Sequence, residues 1–416
     1  MAARWIGLHP GGVIPLKRSQ LERGLSYTSG RECLPLPICL GQLLEVHERR
    51  QPDEIAGFSL LRGGAPCVVD SFVGYFERFI ERQQLKDLFI FAPHEENNYY
   101  GFDLEKSAQH FWPAFAVADI LVEMEQTLQV VGEPGGVKQL RQLWRGFAGS
   151  VRSHEDFDRS LPALIERLAA IPRLKDPADY PRVIVTGDFF TRCSPFFMEG
   201  VPEIYAKHGI ILKPADLTEL VLYAVYDGMA ATAHGWGMEP GYGALAKGCM
   251  KIFQPEGKDY LQRWKGYQMM KWEEERYRRE FSKTGLLVCG STDVSLLFRE
   301  AMKHVSPAIY GETIPTVGIA LEADREGYDG IILMGPFNCL AFRISEAILK
   351  PLSYQRGMPI ITYESDGYAV SPAFLRQVDV HIQQVLAKRE AARSERPPAT
   401  AAVRLVEQLA AQFGVR

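Results

Sequence analysis

The sequence lacks the features that define several large classes of protein. Positive and negative charges nearly balance over its 416 residues, with a formal net charge of −4. No overall basic field is therefore available to hold nucleic acid or an anionic bilayer. No apolar run approaches the roughly 18 residues of a membrane-spanning helix, and the N-terminus shows no charged-then-apolar signal pattern. We expect a cytoplasmic protein that binds neither nucleic acid nor membranes.

Local motifs for metals and nucleotides are also missing. The 7 cysteines are scattered singly, without a CxxC pair, and there is no His-rich tract. This pattern argues against a disulfide framework and against a zinc site built from neighbouring residues. No Walker-type loop occurs, nor a GxGxxG directly after a predicted strand, so tight binding of ATP or a dinucleotide is not expected. Any metal site must be assembled by the fold.

Five short apolar runs are the strongest structural signal. Each ends at a Gly or Pro turn, and the intervening segments show helical periodicity, which is typical of parallel strands in an α/β protein. The chain is longer than one hydrophobic core usually fills. We therefore predict two doubly wound, flavodoxin- or Rossmann-like parallel-sheet domains with helical insertions. The runs are residues 55–64, 87–93, 182–188, 330–336 and 358–367.

The composition between these runs suggests the domain boundaries. Residues 1–178 form the predicted N-terminal α/β domain, which ends in a helical segment. Residues 179–395 form the predicted C-terminal α/β domain, with a helical insertion at about 225–285. After a Pro-Pro break, residues 396–416 are predicted to form a tail helix.

Three of the cysteines occur in loops directly before predicted helices. Cys67 and Cys339 each follow a predicted strand, and Cys33 precedes a Pro-rich helix start. Helix N-termini stabilise thiolates, and ligands of doubly wound sheets collect at the carboxyl ends of the strands. Three thiolates from separate loops suit an iron–sulfur cluster in the cleft between the domains. The alternative is that each cysteine is simply a small buried hydrophobic residue.

Four blocks of sequence carry a resemblance to a known family. Together they resemble the family of the 2-hydroxyglutaryl-CoA dehydratase D-component, and especially its branch of activase-associated and double-cubane cluster proteins. The blocks contain the motifs SGREC, GAPC, TRCSPF and GPFNC in the order that the family shows. They are residues 28–45, 64–78, 183–210 and 311–367.

The resemblance implies a particular set of cluster ligands. Cys33, Cys67 and Cys339 would hold a [4Fe-4S] cluster between two α/β halves, with one iron left without a protein thiolate. In the alternative, an [8Fe-9S] double-cubane cluster, Cys39 and Cys193 are candidates for additional ligands. Two departures from the family pattern affect the substrate side: valine follows the second of the three principal cysteines where a basic residue is usual, and Leu-Ala-Phe follows the third where Pro-Gly is common.

The resemblance also implies a function. The protein would be a low-potential iron–sulfur reductase or 2-hydroxyacyl-CoA dehydratase-like component of anaerobic metabolism, working as a homo- or heterodimer. An ATP-hydrolysing, ASKHA-type iron–sulfur activator would reduce it, and the substrate would be an acyl-CoA or a small reducible molecule. Glu32, Asp188 and Arg192 are the candidate catalytic residues, for proton transfer or for holding an anionic group.

Two other functions remain open at this stage. The first is a non-catalytic iron–sulfur electron carrier or scaffold subunit, which a substrate pocket beside the cluster would argue against. The second is a metal-free α/β protein that binds a sugar or nucleotide, which iron-free protein from strictly anoxic expression would favour.

Overall fold

The structure is a computed structural model. It describes residues 14–60, 67–94, 104–309 and 311–394 together with positions 12, 97 and 100, and of residues 104–109 only the backbone. The predicted tail helix at 396–416 and the loop that precedes Cys67 lie outside the described residues.

The described part of the chain contains six strands, which are separated by one or more helices or turns. In chain order the elements are α1 (Arg18–Leu25), α2 (Pro35–Arg49), β1 (Ala56–Ser59), a 3-10 turn (Val68–Ser71), α3 (Phe72–Gln83), β2 (Leu88–Phe91), α4 (Leu104–Val131), α5 (Gly136–Ser150), α6 (His154–Ala169), a second 3-10 turn (Pro177–Asp179), β3 (Arg182–Gly187), α7 (Phe189–Arg192), α8 (Val201–Lys207), β4 (Ile211–Pro214), α9 (Leu217–Gly235), α10 (Tyr242–Met250), α11 (Pro255–Ser282), α12 (Val294–Ala301), α13 (Thr313–Glu322), β5 (Gly330–Pro336), α14 (Leu340–Arg356), β6 (Ile360–Ser365) and α15 (Pro372–Ser394).

The strands form two parallel sheets, which confirms the predicted α/β class. The larger sheet has the order β4-β3-β5-β6, and the smaller one pairs β1 with β2. Each of the five predicted runs contains a strand. Strand β4 was not predicted, because it carries Lys213 and Pro214, neither of which is typical of a strand.

The larger sheet changes direction at β3. The chain leaves β3 for β4 on one side and returns to place β5 on the other side, which creates a crevice at the carboxyl ends of β3 and β5. Gly187 ends β3 with a φ of 115°, and a Cβ atom there would overlap the carbonyl oxygen of Met334 on β5. The next residue, Asp188, donates its backbone N–H to the same oxygen at 3.0 Å. Only glycine allows the two strand ends to approach this closely.

Helices cover both faces of the larger sheet. On one face Ile184 and Leu333 share a core with α9, α12 and α13, and on the other Val185 and Ile332 share a core with α1, α2, α8 and α15. Helix α2 also contributes a row of leucines to the core of the smaller sheet. Its N-terminus is therefore fixed against both sheets at once.

The helical segments at 104–169 and 255–282 pack together in one core. Helices α4, α5 and α6 bury their apolar side chains against Tyr277 and Phe281, near the end of α11. The sequence placed the first segment in the N-terminal domain, yet in three dimensions it contacts the second half of the chain, including β4 and α9. Among the described helices, none combines the length and apolar character needed to cross a lipid bilayer.

Replacing Gly187 tests the close approach of β3 and β5. Gly187→Ala adds a methyl group where the Met334 carbonyl oxygen lies and also forces a positive φ on a residue with a Cβ. We expect a loss of about 3 kcal/mol or more in the free energy of unfolding, measured with denaturant. The matched control is Gly200→Ala, which has a φ of 79° but open space around the new methyl group and should cost about 1 kcal/mol. Equal losses in the two variants would contradict the proposed steric role.

Candidate functional site

The structure brings Cys33, Cys67 and Cys339 to the crevice at the carboxyl ends of β3 and β5. The thiol of Cys33 interacts electrostatically with the thiols of Cys339 and Cys67 and with Asp188. The same interaction joins Cys67 to Cys339. Cys33 is buried, Cys339 is half-buried and Cys67 is exposed. The site is therefore closed on the protein side and open to solvent at Cys67.

Hydrogen bonds tie the loop of Cys33 to the loop of Cys339. The backbone N–H of Leu34 donates to the carbonyl oxygen of Phe337 at 3.1 Å. The side-chain Nδ2 of Asn338 donates to the carbonyl oxygen of Arg31 at 2.6 Å. Asn338 has a φ of 59°, a conformation that asparagine tolerates better than most residues. These bonds hold together loops that are about three hundred residues apart in the sequence.

Each of the three cysteines lies at the start of a helix, as the sequence indicates. Cys67 directly precedes the 3-10 turn and Cys339 directly precedes α14, while Cys33 lies two residues before α2. The backbone N–H of Val69 donates to the sulfur of Cys67, and that of Phe342 donates to the sulfur of Cys339. Amide hydrogens aimed at sulfur favour its anionic form.

Desolvation acts on these thiols in the opposite direction. It raises the pKa of Cys33 and Cys67 and raises that of Cys339 to about 12, and neighbouring acidic groups add to the effect. The metal-free thiols are therefore protonated near neutral pH. A bound cation would have to displace these protons, which is how thiolate metal sites form.

Asp188 lies between the thiols and the end of β3. It is the N-cap of α7, and its Oδ1 accepts the backbone N–H of Thr191 at 3.1 Å. Burial raises its pKa to about 6, against the effects of that hydrogen bond and of Arg192. Of the three predicted catalytic residues, Asp188 is the one that interacts with all three cysteines.

Arg192 is buried beneath the site, with a residue exposure of 5%. Its Nε donates to the carbonyl oxygen of Ala215 at 3.2 Å, its Nη2 to that of Asp216 at 3.4 Å, and its Nη1 to that of Gly187. The guanidinium thus joins the end of β3 to the segment after β4. It does not face solvent, where an anionic substrate group would approach.

Three carboxyl groups surround this one guanidinium. Asp188, Glu219 and Glu312 all interact electrostatically with Arg192. Burial raises the pKa of Glu219 to about 8, and burial together with Asp188 raises the pKa of Glu312 to about 8. One buried positive charge is therefore matched by about one carboxylate near neutral pH, and the other two carboxyl groups hold protons.

Glu312 is a site residue that sequence reasoning missed. It precedes α13, its Oε2 accepts the backbone N–H of Phe189 at 2.8 Å, and its buried Oε1 has no hydrogen-bond partner among the described residues. It also interacts electrostatically with Cys67 and Cys339. The available signal was its position: it is the acidic residue at the start of the fourth block of the resemblance.

Glu32 has a local structural role. Its carboxylate accepts the backbone N–H of Ser29 at 2.9 Å and that of Arg31 at 3.0 Å. Slight burial opposes these hydrogen bonds, yet the net effect lowers the pKa of Glu32. The carboxylate is therefore ionised at neutral pH and shapes the loop of Cys33, which makes it a poor proton donor.

The remaining cysteines differ in their surroundings. Cys39 packs beside Cys33 in the core of the smaller sheet, and desolvation raises its pKa to about 12. Cys193 ends α7 and is exposed, and its strongest electrostatic interactions are with Arg192 and acidic groups. Cys289 donates its thiol to Glu123 Oε1 at 3.3 Å, and Cys249 is exposed on α10. Cys39 thus lies on the thiol side of the site and Cys193 on the carboxyl side.

Within the described ranges, no group of three or more His, Cys, Asp or Glu side chains is arranged to hold a metal ion.

Comparison of the chain with known protein families, with curated proteins and with solved structures gave no match in any of the three. The geometry of the site therefore carries the functional argument.

Removing the buried guanidinium tests its structural role. Arg192→Met leaves three carboxyl groups without their shared positive charge and frees three carbonyl oxygens. We expect a loss of about 3 to 5 kcal/mol in the free energy of unfolding at pH 7. The control is Arg343→Met, which removes two partly exposed ion pairs, with Glu346 and with Glu364, and should cost about 1 kcal/mol or less. A small loss in Arg192→Met would refute the role of the guanidinium in joining the end of β3 to the segment after β4.

Replacing Glu219 tests the protonation of the buried carboxyl group. The stabilising contribution of neutral Glu219 is fully present below about pH 4.5 and is lost as the pH rises through about 8. The free energy of unfolding of Glu219→Gln, relative to the unmodified protein, should therefore rise by at most about 1.4 kcal/mol per pH unit across this window. Denaturation at several pH values measures this slope. The exposed control Glu239→Gln should give a much smaller slope, and equal slopes would argue against a neutral Glu219.

Proposed function

We propose that the protein is the low-potential iron–sulfur component of a reductase or 2-hydroxyacyl-CoA dehydratase-like system. One observation carries this proposal: the loops of Cys33 and Cys339 are hydrogen-bonded to each other, and the thiols of both interact electrostatically with that of Cys67 and with Asp188, at the end of β3. Cysteines that serve only as small core residues would not be expected to lie together at one edge of a sheet. The proposed cofactor is a [4Fe-4S] cluster, with an [8Fe-9S] double-cubane cluster as the alternative.

The donor set suits such a cluster. Thiolates are the usual ligands of iron–sulfur clusters, and a cluster of several irons spaces its ligands more widely than a single ion does. The amide hydrogens of Val69 and Phe342 point at two of the sulfurs, and hydrogen bonds to sulfur tune the reduction potential. When bound, the cluster would supply single low-potential electrons.

The side chains next to the thiols determine what a substrate would meet. The carboxyl group of Asp188 interacts electrostatically with all three cysteines, and that of Glu312 with Cys67 and Cys339. They can orient a hydroxyl or carbonyl group by hydrogen bonding. Arg192 lies behind them and balances their charge, so its role is to position the two acids. Glu32 maintains the loop of Cys33.

The solvent side of the site suits a protein partner. Val68 and Leu340 directly follow Cys67 and Cys339, and their exposed fractions are 56% and 72%. Phe337, in the loop of Cys339, is 40% exposed. Exposed apolar side chains around an open site are typical of an interaction surface. We propose that the ATP-hydrolysing activator docks here, and that the protein works in the anaerobic cytoplasm as a homo- or heterodimer.

A non-catalytic electron relay is the second candidate function. One observation favours it: the polar cavity beside the larger sheet is lined by Glu219 and Tyr328, and none of the three cysteines lines it. A relay needs an exposed cluster edge more than a substrate pocket, and Cys67 provides such an edge. Turnover of an acyl-CoA by the reduced protein would support the enzyme, whereas electron transfer to a second protein without turnover would support the relay.

Iron analysis tests the cluster directly. The chain is purified without oxygen, and its iron and acid-labile sulfide are measured. We expect Cys67→Ser and Cys339→Ser each to lose most of the bound iron, because each removes one of three ligands. The matched control, Cys249→Ser, alters an exposed cysteine on α10 and should keep its iron.

The same measurement separates the two cofactors. If Cys39→Ser or Cys193→Ser loses about half of the iron while the rest stays bound, the double-cubane cluster is supported. Unchanged iron in these two variants supports the single cluster. Iron content that is unaffected by Cys67→Ser and by Cys339→Ser would end the ligand assignment.

A further inference from the structure

Helices α10 and α11 form an antiparallel hairpin. The rings of Tyr242, at the start of α10, and Trp264 on α11 have their centroids 6.0 Å apart. Near the other end of α10, a Cβ atom on Gly248 would lie 3.3 Å from the ring of Tyr260. The two helices therefore run side by side in opposite directions. The chain turns back between them at residues 250–254, which we call the hairpin tip.

The hairpin tip is fixed from the protein side. The carbonyl oxygen of Lys251 accepts the backbone N–H of Gln254 at 2.8 Å, and a Cβ atom on Gly257 would overlap that same oxygen. The ammonium group of Lys251 lies over the ring of Trp236, 5.7 Å from its centre, and Trp236 contacts Tyr260 on α11. A tight turn and an aromatic contact thus hold the backbone from which the outer side chains project.

Three apolar side chains of the tip lie in water. The exposed fraction is 93% for Phe253, 75% for Met250 and 45% for Ile252. Single exposed apolar residues are common on protein surfaces. Three of them within four positions of one turn form a patch instead, and such patches are typical of interaction sites.

Lysine residues accompany this apolar patch. Residues 247–258 contain three lysines and a single acidic residue, Glu256. The lysines lie in the last turn of α10, directly after it and in the first turns of α11; they are Lys247, Lys251 and Lys258. Glu256 lies in the first turn of α11, where the positive end of the helix dipole offsets part of its charge. The tip therefore carries an excess of positive charge.

The next charges along α11 leave this excess in place. Asp259 is paired with Arg263, with 2.8 Å between Oδ2 and Nε, so these two residues cancel each other. The near balance of charge over the whole chain thus coexists with a local positive surface. Such a surface acts on groups within about one Debye length, roughly 10 Å at 0.1 M salt.

An anionic lipid surface matches the tip better than a second copy of the chain does. In a two-fold dimer the tip would face the same lysines on its copy, and like charges repel. A protein pocket would have to be shaped to a projecting phenylalanine, whereas a lipid interface deforms around it. Interfacial segments of membrane-bound proteins combine these residue types, because apolar side chains enter the headgroup region while lysines bind anionic headgroups.

We propose that the hairpin tip is a membrane-docking site. Phe253, Met250 and Ile252 enter the headgroup region of an anionic bilayer, and the lysines beside them bind its phosphate groups. The contact is made at the bilayer surface, without crossing it. This inference departs from the expectation drawn from net charge, because that expectation averaged over the whole chain. It does not rest on the proposed cluster, since no residue of the tip belongs to the cysteine site.

Co-sedimentation of the purified full chain with lipid vesicles tests the proposal. One set of vesicles contains phosphatidylcholine alone, and the other mixes it with anionic phosphatidylglycerol. We expect the chain to bind the neutral vesicles about tenfold more weakly than the anionic ones, and added salt to release it, because salt screens the lysine contacts. Phe253→Ser should weaken binding to the anionic vesicles about tenfold, because it removes the largest inserted side chain.

Tyr354→Ser is the matched control. It removes an aromatic ring that is 84% exposed on α14, and it should bind the vesicles as the unmodified chain does. Both side chains lie almost entirely in water, so neither replacement should affect folding. Lys258→Gln tests the electrostatic part: it should weaken binding to anionic vesicles and reduce the effect of salt.

Light scattering without vesicles tests the other occupant. If the chain self-associates and Phe253→Ser abolishes this association, the tip joins two copies of the chain and the membrane proposal is wrong. It is also wrong if the chain does not sediment with anionic vesicles, or if Phe253→Ser and Tyr354→Ser bind them equally well. None of these results bears on the iron content of the cysteine variants, so the two proposals stand or fall separately.

Discussion

One buried guanidinium organises the functional edge of this protein. Arg192 donates to carbonyl oxygens at the end of β3 and after β4, so it fixes the positions of two strand ends. Its charge lies in a place that water hardly reaches, and three carboxyl groups interact with it electrostatically. Removing an ion pair from water costs several kcal/mol per ion unless partners replace the water. The arrangement of Asp188, Glu219 and Glu312 follows from this constraint.

The carboxyl groups connect two parts of the site that are far apart in sequence. Asp188 interacts electrostatically with all three thiols and Glu312 with those of Cys67 and Cys339, whereas Glu219 lines the polar cavity. Burial and like charge keep the pKa of Asp188 and of Glu312 raised even beside this cation. Arg192 therefore links the surroundings of the thiols and those of the cavity in one electrostatic network.

Much of the architecture was readable from local pattern. The five apolar runs contain strands, and the cysteines stand at helix starts, because alternation, turn residues and helical periodicity are properties of neighbouring residues. Other features were not readable. Strand β4 carries Lys213, a residue that is unusual in a buried strand. Its charge is paired with Glu123 and Asp216 once the protein has folded. Glu312 carried no signal of a site residue in sequence, because its contact with the backbone of Phe189 forms only in the folded protein. The helices at 104–169 show apolar faces in sequence, but not that α11 is their partner.

The sequence by itself determined the α/β class, the strand and helix order of most of the chain and the loops that carry the three cysteines. Tertiary structure alone decided that these loops meet, that Arg192 is buried and that Glu219 lines a cavity. The physical reason is the range of the forces involved. Propensity and periodicity act over a few residues, whereas desolvation, charge compensation and close strand approach depend on groups that only folding brings into contact.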